Sequence, residues 1–311
     1  MAAPEPVPSP ADAPVTVTWK HRALAVLSGL LYAFSHPFVF PGREEDVHAA
    51  LQRPVHVLAW VCLVPLLFLV RKMTPWRAYF FSAWAIVPGV FIMLYWLVVA
   101  MHVFGHIPLV LSLLLLLLLS FVGWNFMGMA VLAARYMETT WKWPAVVAIP
   151  VGWTGMELCR AHVYFGGFPW GNLGQSQWNN TLVLQFTALA SIYGLVFAVA
   201  LVNAVLAEVV RWRTGERAFP ARELAAAGAL LGVVIAWGVF ELHRVDEALV
   251  TAPRVRVGML QGNVEQGIKN EEMQHAGAIM QKYAALQREA LGKGAQLVVW
   301  PEGAVPGHVD R

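Results

Sequence analysis

Charge is scarce in this 311-residue chain: Asp, Glu, Lys and Arg make up 13% of it, where a soluble domain carries roughly 25%. Hydrophobic residues make up 58%, and the mean hydropathy is +0.57. Together these exclude an ordinary water-soluble domain and point to an integral membrane protein. Cysteine is almost missing as well. Cys62 falls inside an apolar run and Cys159 at the end of another, and no CxxC spacing occurs. That argues against a disulfide framework and a zinc site, and leaves two small apolar or interfacial thiols. His36, His102 and His106 lie near the ends of apolar runs without carboxylates at ligand spacing, so no metal and no cofactor is expected. The net charge is only +3, and no nucleic-acid partner is expected.

Tryptophan, by contrast, is plentiful. There are 14, several of them at the edges of apolar runs, where interfacial aromatics sit. Residues 1–19, rich in Pro and Ala, read as a disordered tail. Seven apolar segments follow, near 22–41, 55–70, 79–101, 107–134, 143–160, 183–210 and 223–241. A helix needs about 20 residues to cross the hydrocarbon core. The expected architecture for residues 20–242 is therefore a polytopic α-helical membrane bundle of about seven spans. Basic residues give it an orientation. Lys20, Arg22, Arg71, Lys72, Arg77, Arg135, Lys142, Arg211, Arg213, Arg217 and Arg222 fall on one side, and only Arg43, Arg53 and Arg160 on the other. The richer side is cytoplasmic by the positive-inside rule. The N-terminus is then cytoplasmic, and everything past about residue 242 is outside, on the periplasmic face in a bacterium.

After residue 242 the composition changes. ELHRVDEALVTAPR reads as a charged connection, and RVRVGMLQG (254–262) as a strand entering a sheet. Residues 270–292 place Met273, Ala276, Ile279, Met280, Tyr283, Ala284 and Leu291 at helical spacing, with Asn270 as a cap and Gly292 after the end. AQLVVWPEG forms a second strand. Strand, helix, strand predicts a parallel pair. Such a pair needs more strands and covering layers, so residues 243–311 read as the start of an α/β domain.

Polar residues at chosen places are the site candidates. Glu302, in VVWPEGAVP (298–306), follows the second strand, where α/β proteins place their sites. Pro301 holds the exit rigid and Trp300 packs beneath. Burial there would suit Glu302 to general-base work; the plainer reading is a surface glutamate after a strand. Phe168, Pro169 and Trp170 belong to FGGFPWGNLGQSQ (165–177), the loop after the fifth apolar segment. They line a lipid entrance or anchor the loop at the headgroup level. Glu157 and Arg160 read as a structural pair, and Asn125 and Asn203 as polar groups in or near spans. Gln261 and Asn263 end the first strand, in a supporting or a turn role.

The order of these features resembles the bacterial apolipoprotein N-acyltransferase family, a membrane bundle joined to a nitrilase-like α-β-β-α (CN hydrolase) domain. VVWPEGAVP is similar to that family's strand-end glutamate segment, and FGGFPWGNLGQSQ to its GFPW…G-Y-S-Q signature, with Gln175 standing where the family has Tyr. The resemblance implies a multi-pass enzyme of the bacterial inner membrane that matures lipoproteins. Its Glu-Lys-Cys triad moves an acyl chain from a phospholipid donor onto cysteine as a thioester. The chain then passes to the α-amino group of a diacylglyceryl-modified apolipoprotein. Carried over residue by residue, the resemblance assigns the general base to Glu302; Phe168, Pro169 and Trp170 are the candidates for substrate binding, beside their reading as interfacial anchors. The family's lysine, cysteine and last membrane helix lie downstream of WPE, so the 311 residues correspond to the N-terminal three-fifths of such an enzyme and are expected to be inactive alone. The alternative is a non-catalytic membrane protein, a transporter or a lipid-binding scaffold with a vestigial outer domain.

Overall fold

In the computed structural model, residues 16–38, 55–163, 167–264 and 272–305 are described. The tail before residue 16, the connection bearing Arg43 and Arg53, Phe165 and Gly166 of the loop motif, and Asn270 lie outside the described residues. The chain divides into two units, residues 1–99 with 107–244, and residues 100–106 with 245–311.

The described residues of the first unit are largely helical, and its last helix runs on past residue 244. Its long elements are α1 (Trp19–Phe34), α2 (Val64–Val70), α3 (Pro75–Met93), α4 (Leu109–Thr140), α5 (Ala145–His162), α6 (Thr187–Arg213) and α7 (Ala221–Thr251). Prolines mark three of the starts. Pro75 opens α3, and Pro108 and Pro144 stand immediately before α4 and α5. A proline there forfeits no helical hydrogen bond, because first-turn N–H groups have no helical partner anyway. Gly215, with φ of +77°, follows α6 in the left-handed conformation that glycine adopts freely at helix ends. The α6 run is interrupted at Ala190 and Ser191. Ser191 then caps the remainder, its Oγ accepting from the Tyr193 N–H at 3.4 Å.

Four of these helices, α3, α4, α6 and α7, are long and apolar enough to cross a membrane. On α4 and α7 most of the apolar surface stays uncovered by protein: Leu111, Leu114 and Leu118, and Val233, Val239 and Phe240, are exposed. Such faces suit lipid. Seven crossings are expected from the sequence, and four helices meet the length and apolarity of a span. α1 has 16 residues, Val55–Val70 is split between a 3₁₀ turn (Val55–Trp60) and α2, and α5 carries Glu157 and Arg160. α7 also runs ten residues beyond its predicted end at 241, through the segment read as a connection. Glu241 and Arg244, three apart, form an ion pair there, and its sequence is rich in helix formers.

Small residues decide how closely the helices pack. α3 lies between α1 and α4, α4 against α5, and α5 against α6. A Cβ on Gly29 would stand 1.9 Å from the Ala85 carbonyl oxygen, and one on Gly89 2.8 Å from the Gly29 oxygen. The α1 and α3 backbones therefore touch directly, as small residues allow in membrane bundles. Ala25, Ala33, Ala78 and Ala85 are buried along the same two helices.

In the second unit, β1 (Val257–Met259) and β2 (Leu297–Val299) pair in parallel, Val257 opposite Leu297. Between them in sequence lies α8 (Glu272–Gly292). Ile279 and Tyr283 of α8 bury against Leu260 and Ala304, with Leu286 and Ala290 packed alongside. Met280 and Leu291, predicted to lie on that face, point outward. The left-handed residue after α8 is Gly294, at φ +82°, rather than Gly292. The opposite face of the strands is apolar and uncovered: Val257, Met259, Leu297 and Val299 are all exposed.

The Gly29 contact is directly testable. Gly29→Ala forces two backbones apart and is expected to cost about 1–3 kcal/mol, the range of overpacking. Gly155→Ala on α5 meets nothing within 4 Å and should be neutral or slightly stabilising. Thermal unfolding of the two purified variants in detergent checks the contrast.

Candidate functional site

Two places hold the predicted site residues, one in each unit. The first is the loop after α5. α5 presents Trp153, Glu157 and Arg160 at positions i, i+4 and i+7, one face of the helix. α1 and the residues after it bring Tyr32 and His36. Four of these side chains take hold of the loop by its backbone, and Trp153 braces one of them, Glu157. Arg160 Nη1 donates to the Trp170 carbonyl at 2.9 Å and Tyr32 Oη to the Gly171 carbonyl at 2.6 Å. His36 Nε2 stands 3.1 Å from the Asn172 carbonyl. The Leu173 N–H is shared by both Glu157 oxygens at 3.1 Å, and Trp153 Nε1 donates to Oε1 at 2.8 Å. The Phe168 N–H closes the ring on the Arg160 carbonyl at 3.0 Å.

Glu157 and Arg160 are both buried. The expectation of a structural pair is refined by this geometry. Among the described residues no ion pair joins them: Glu157 is spent on the loop and on Trp153, and Arg160 gives the loop one nitrogen, Nη1, while its Nε and Nη2 are buried without a partner. The reason is position: a loop entering an apolar bundle leaves its N–H and C=O groups without water, so side chains must satisfy them.

The loop also holds itself. Gln175, where the related signature has Tyr, accepts the Gly171 and Asn172 N–H groups at 2.7 and 3.2 Å through Oε1. Asn172 Oδ1 in turn accepts the Gln175 N–H at 2.8 Å, the reciprocal pattern of a capping box. Gln177 is fully buried, accepting from Trp60 Nε1 at 3.2 Å and donating to the His56 carbonyl at 3.2 Å. Two glycines are obligatory. Gly167 has φ of +102°, and a Cβ there would lie 1.8 Å from the Ala161 oxygen; Gly171 has φ of +68° and abuts Met93.

On this rigid backbone the three predicted lipid-contact residues face outward. Phe168 is half-buried, and Pro169 and Trp170 are exposed. The rings of Phe168 and Trp170 lie 5.1 Å apart, and Trp96 lies 6.4 Å from Trp170. The structure thus joins Phe168, Trp170 and Trp96 into one aromatic surface. Trp96 was not singled out by sequence. Asn203, read as a polar group in a span, is fully buried, accepting the Leu63 N–H at 2.8 Å and donating to the Ala59 carbonyl at 2.8 Å. It ties α6 to the break before α2. Asn125 accepts from Tyr79 Oη at 3.1 Å.

The second place is the end of β2. Trp300 stacks on Tyr283 at 5.2 Å and 21°, and its Nε1 donates to Gln287 Oε1 at 2.9 Å. Pro301 to Ala304 make a turn closed by the Ala304 N–H on the Pro301 carbonyl at 3.2 Å, with Gly303 at φ +65°. Glycine at that third position is what a type II turn requires. Ala304 returns to the buried cluster. Glu302 is held between two anchors, at the carboxyl end of the strands, and its side chain is exposed. Of the two readings of Glu302, a buried base or a surface glutamate after a strand, the exposed one is found, because the residue lies in the turn beyond the strand pair and not on its packed face. Gln261 Nε2 bonds Asn263 Oδ1 at 3.2 Å, and Asn263 has φ of +47°, which is the turn role. Lys293 is tied to Glu289, Nζ to Oε1 at 2.6 Å, a bond that holds that carboxyl below its usual range.

Removing Glu157 should loosen the first site. Glu157→Ala strands two buried donors, at roughly 1–3 kcal/mol each. A lowered melting temperature and new proteolytic cleavage within 167–177 are expected, with β1–β2 packing unchanged.

Comparison with known proteins bears on both places. The family model described as apolipoprotein N-acyltransferase N-terminal domain matches residues 28–205. The apolipoprotein N-acyltransferase of Geobacter metallireducens is 32% identical over 291 residues, covering 91% of this chain and 51% of that protein. That of Nitrosomonas europaea is 30% identical over 220 residues, 68% of this chain and 39% of the relative. That of Caulobacter vibrioides is 28% identical over 309 residues, 94% and 51%. The chain therefore spans about half the length of these relatives, and the likeness continues past the family model into the second unit.

Proposed function

The chain belongs to the apolipoprotein N-acyltransferase family, and on that premise we propose that it serves N-acylation of the diacylglyceryl-cysteine at the N-terminus of apolipoproteins, with a phospholipid as acyl donor. In the first step a cysteine thiolate attacks the ester carbonyl carbon of the phospholipid. The C–S bond forms, the ester C–O bond breaks, and the lysophospholipid leaves with a proton. In the second step the α-amino group attacks the thioester carbonyl carbon, the C–N bond forms and the C–S bond breaks, the amine gives its proton to the base, and the thiolate departs. Glu302 is the group that takes the thiol proton. Cys62 is not its partner: it is buried in the first unit, its Sγ donating to the Ala59 carbonyl at 3.3 Å. Neither Cys159 nor any lysine of these 311 residues is assigned to the triad.

The observation that carries this reading is a coincidence of place. The family model covers residues 28–205, most of the helical bundle, and Glu302 stands in a braced turn at the carboxyl end of a parallel strand pair, where the family resemblance puts the base. Exposure at the turn leaves the carboxylate reachable. In this reading residues 243–311 begin a nitrilase-like domain on the periplasmic side of the inner membrane. The N-terminus is cytoplasmic, and seven segments cross. Phe168, Pro169 and Trp170 meet lipid on the outer side. Both substrates are anchored in a bilayer, which accounts for a reaction built onto a membrane bundle.

Glu302→Gln keeps the shape and removes the base. Measured in a protein that joins these residues to the family's cysteine- and lysine-bearing segment, transfer of a labelled acyl chain from phosphatidylethanolamine to a diacylglyceryl-cysteine peptide should fall by about 10²–10⁴-fold, the usual worth of a general base. The 311 residues alone should show no transfer with either residue. Wild-type rates in the variant would remove Glu302 from the mechanism.

A further inference from the structure

Four helix ends meet at the end of the first unit that is rich in arginine and lysine: the C-termini of α2, α4 and α6 and the N-terminus of α5. Between them lies a cavity of about 370 Å³, within the range of roughly 300–1,000 Å³ in which small-molecule sites fall. Leu67 and Ile149 form part of its apolar wall. Five cations line it, Arg71, Lys72, Arg135, Lys142 and Arg211, against three carboxylates, Glu138, Glu208 and Glu216.

Each carboxylate is already engaged. Glu216 accepts from Arg71 Nε at 2.8 Å and from Lys72 Nζ at 3.2 Å. Glu208 accepts from Arg211 Nη1 at 2.8 Å and pairs with Arg217, which is not part of the lining. Glu138 pairs with Arg135, whose Nη2 also donates to the Met73 carbonyl at 3.0 Å. Two donors are left over. Among the described residues Lys142 Nζ meets the Thr139 carbonyl at 2.7 Å and no carboxylate. Arg211 Nε is buried with no hydrogen-bond partner among the described residues, and Glu216 Oε2 lies 4.0 Å away. The cavity therefore carries an excess of positive charge and spare donors, at the level where membrane helices end.

We propose that this cavity binds the phosphate ester of a lipid headgroup, with Lys142 and Arg211 supplying the spare donors and Lys72 and Arg71 the surrounding field. Basic pockets between membrane helices bind anionic headgroups by this chemistry, and hydrogen bonds from cations to phosphate are the strong kind. The cavity shares no residue with the loop 167–177 and does not include Glu302, and the proposal does not depend on the reaction assigned to them.

The test uses the purified protein in a neutral detergent. Melting temperature is followed against dilauroyl phosphatidylglycerol, against dilauroylglycerol, which has the same tails and no phosphate, and against glycerol 3-phosphate, which has no tails. Phosphatidylglycerol should raise the melting temperature and dilauroylglycerol should not. Lys142→Ala and Arg211→Gln should each weaken the phosphatidylglycerol effect by roughly ten- to a hundredfold in affinity, the worth of one charged hydrogen bond. Arg254→Gln, outside the cavity, should leave it unchanged. An equal shift with glycerol 3-phosphate, lost in the same variants, assigns the site to soluble phosphate esters. Native mass spectrometry of retained lipid gives a second reading that does not depend on how stable a variant is. Equal lipid retention and equal shifts in wild type and both cavity variants would overturn the proposal.

Discussion

An irregular stretch of backbone inside an apolar bundle has no water to bond with, and every polar group on it must be answered by protein. The loop 167–177 lives under that constraint, and the first unit is arranged around it. Glu157 accepts from Leu173 and Trp153, and Arg160, Tyr32 and His36 reach the carbonyls of Trp170, Gly171 and Asn172. These partners come from α1 and α5, which are far apart in sequence, so the loop is formed only when the bundle is. The close α1–α3 approach at Gly29 and Gly89 and the Asn203 bridge to residues 59 and 63 are what set α1, α2 and α6 in place.

The second unit solves a related problem by different means. A carboxylate for chemistry has to be held still without being buried out of reach. Trp300 and Ala304 do this for Glu302: each is packed against Tyr283 or its neighbours, and the turn between them carries one residue, Gly303, in the left-handed region that glycine adopts freely. The glutamate needs no hydrogen bond of its own to be positioned, since the backbone on both sides of it is fixed.

Much of this was legible in the sequence, for reasons that differ by element. Apolar runs locate α4 and α5 to within several residues, because lipid exposure is a local property, whereas the run read as 79–101 breaks at Met93 in the structure. The parallel pairing of β1 with β2 follows from the strand–helix–strand order. Other features have no local signal. The break at Ser191 lies within an uninterrupted apolar run. α7 continues through a charged stretch because Glu241 and Arg244 pair on its surface. Glu157 and Arg160 look like an i,i+3 ion pair on paper, and only the approach of residues 168–173 turns them toward backbone instead. Tyr32 and His36, four apart at the end of an apolar helix, were the available hint that a polar cargo sits there. The residues that hold the loop were thus partly visible, while what they hold was not.

The length of α4 has a mechanical consequence. Its 32 residues, at about 1.5 Å of rise each, extend about 48 Å, against a hydrocarbon core of about 30 Å. A helix longer than the layer it crosses either tilts or lets its ends emerge: the Leu-rich first half is the part left open to lipid, and the polar last turns, where Arg135 is held on the Met73 carbonyl, are the part with length to spare.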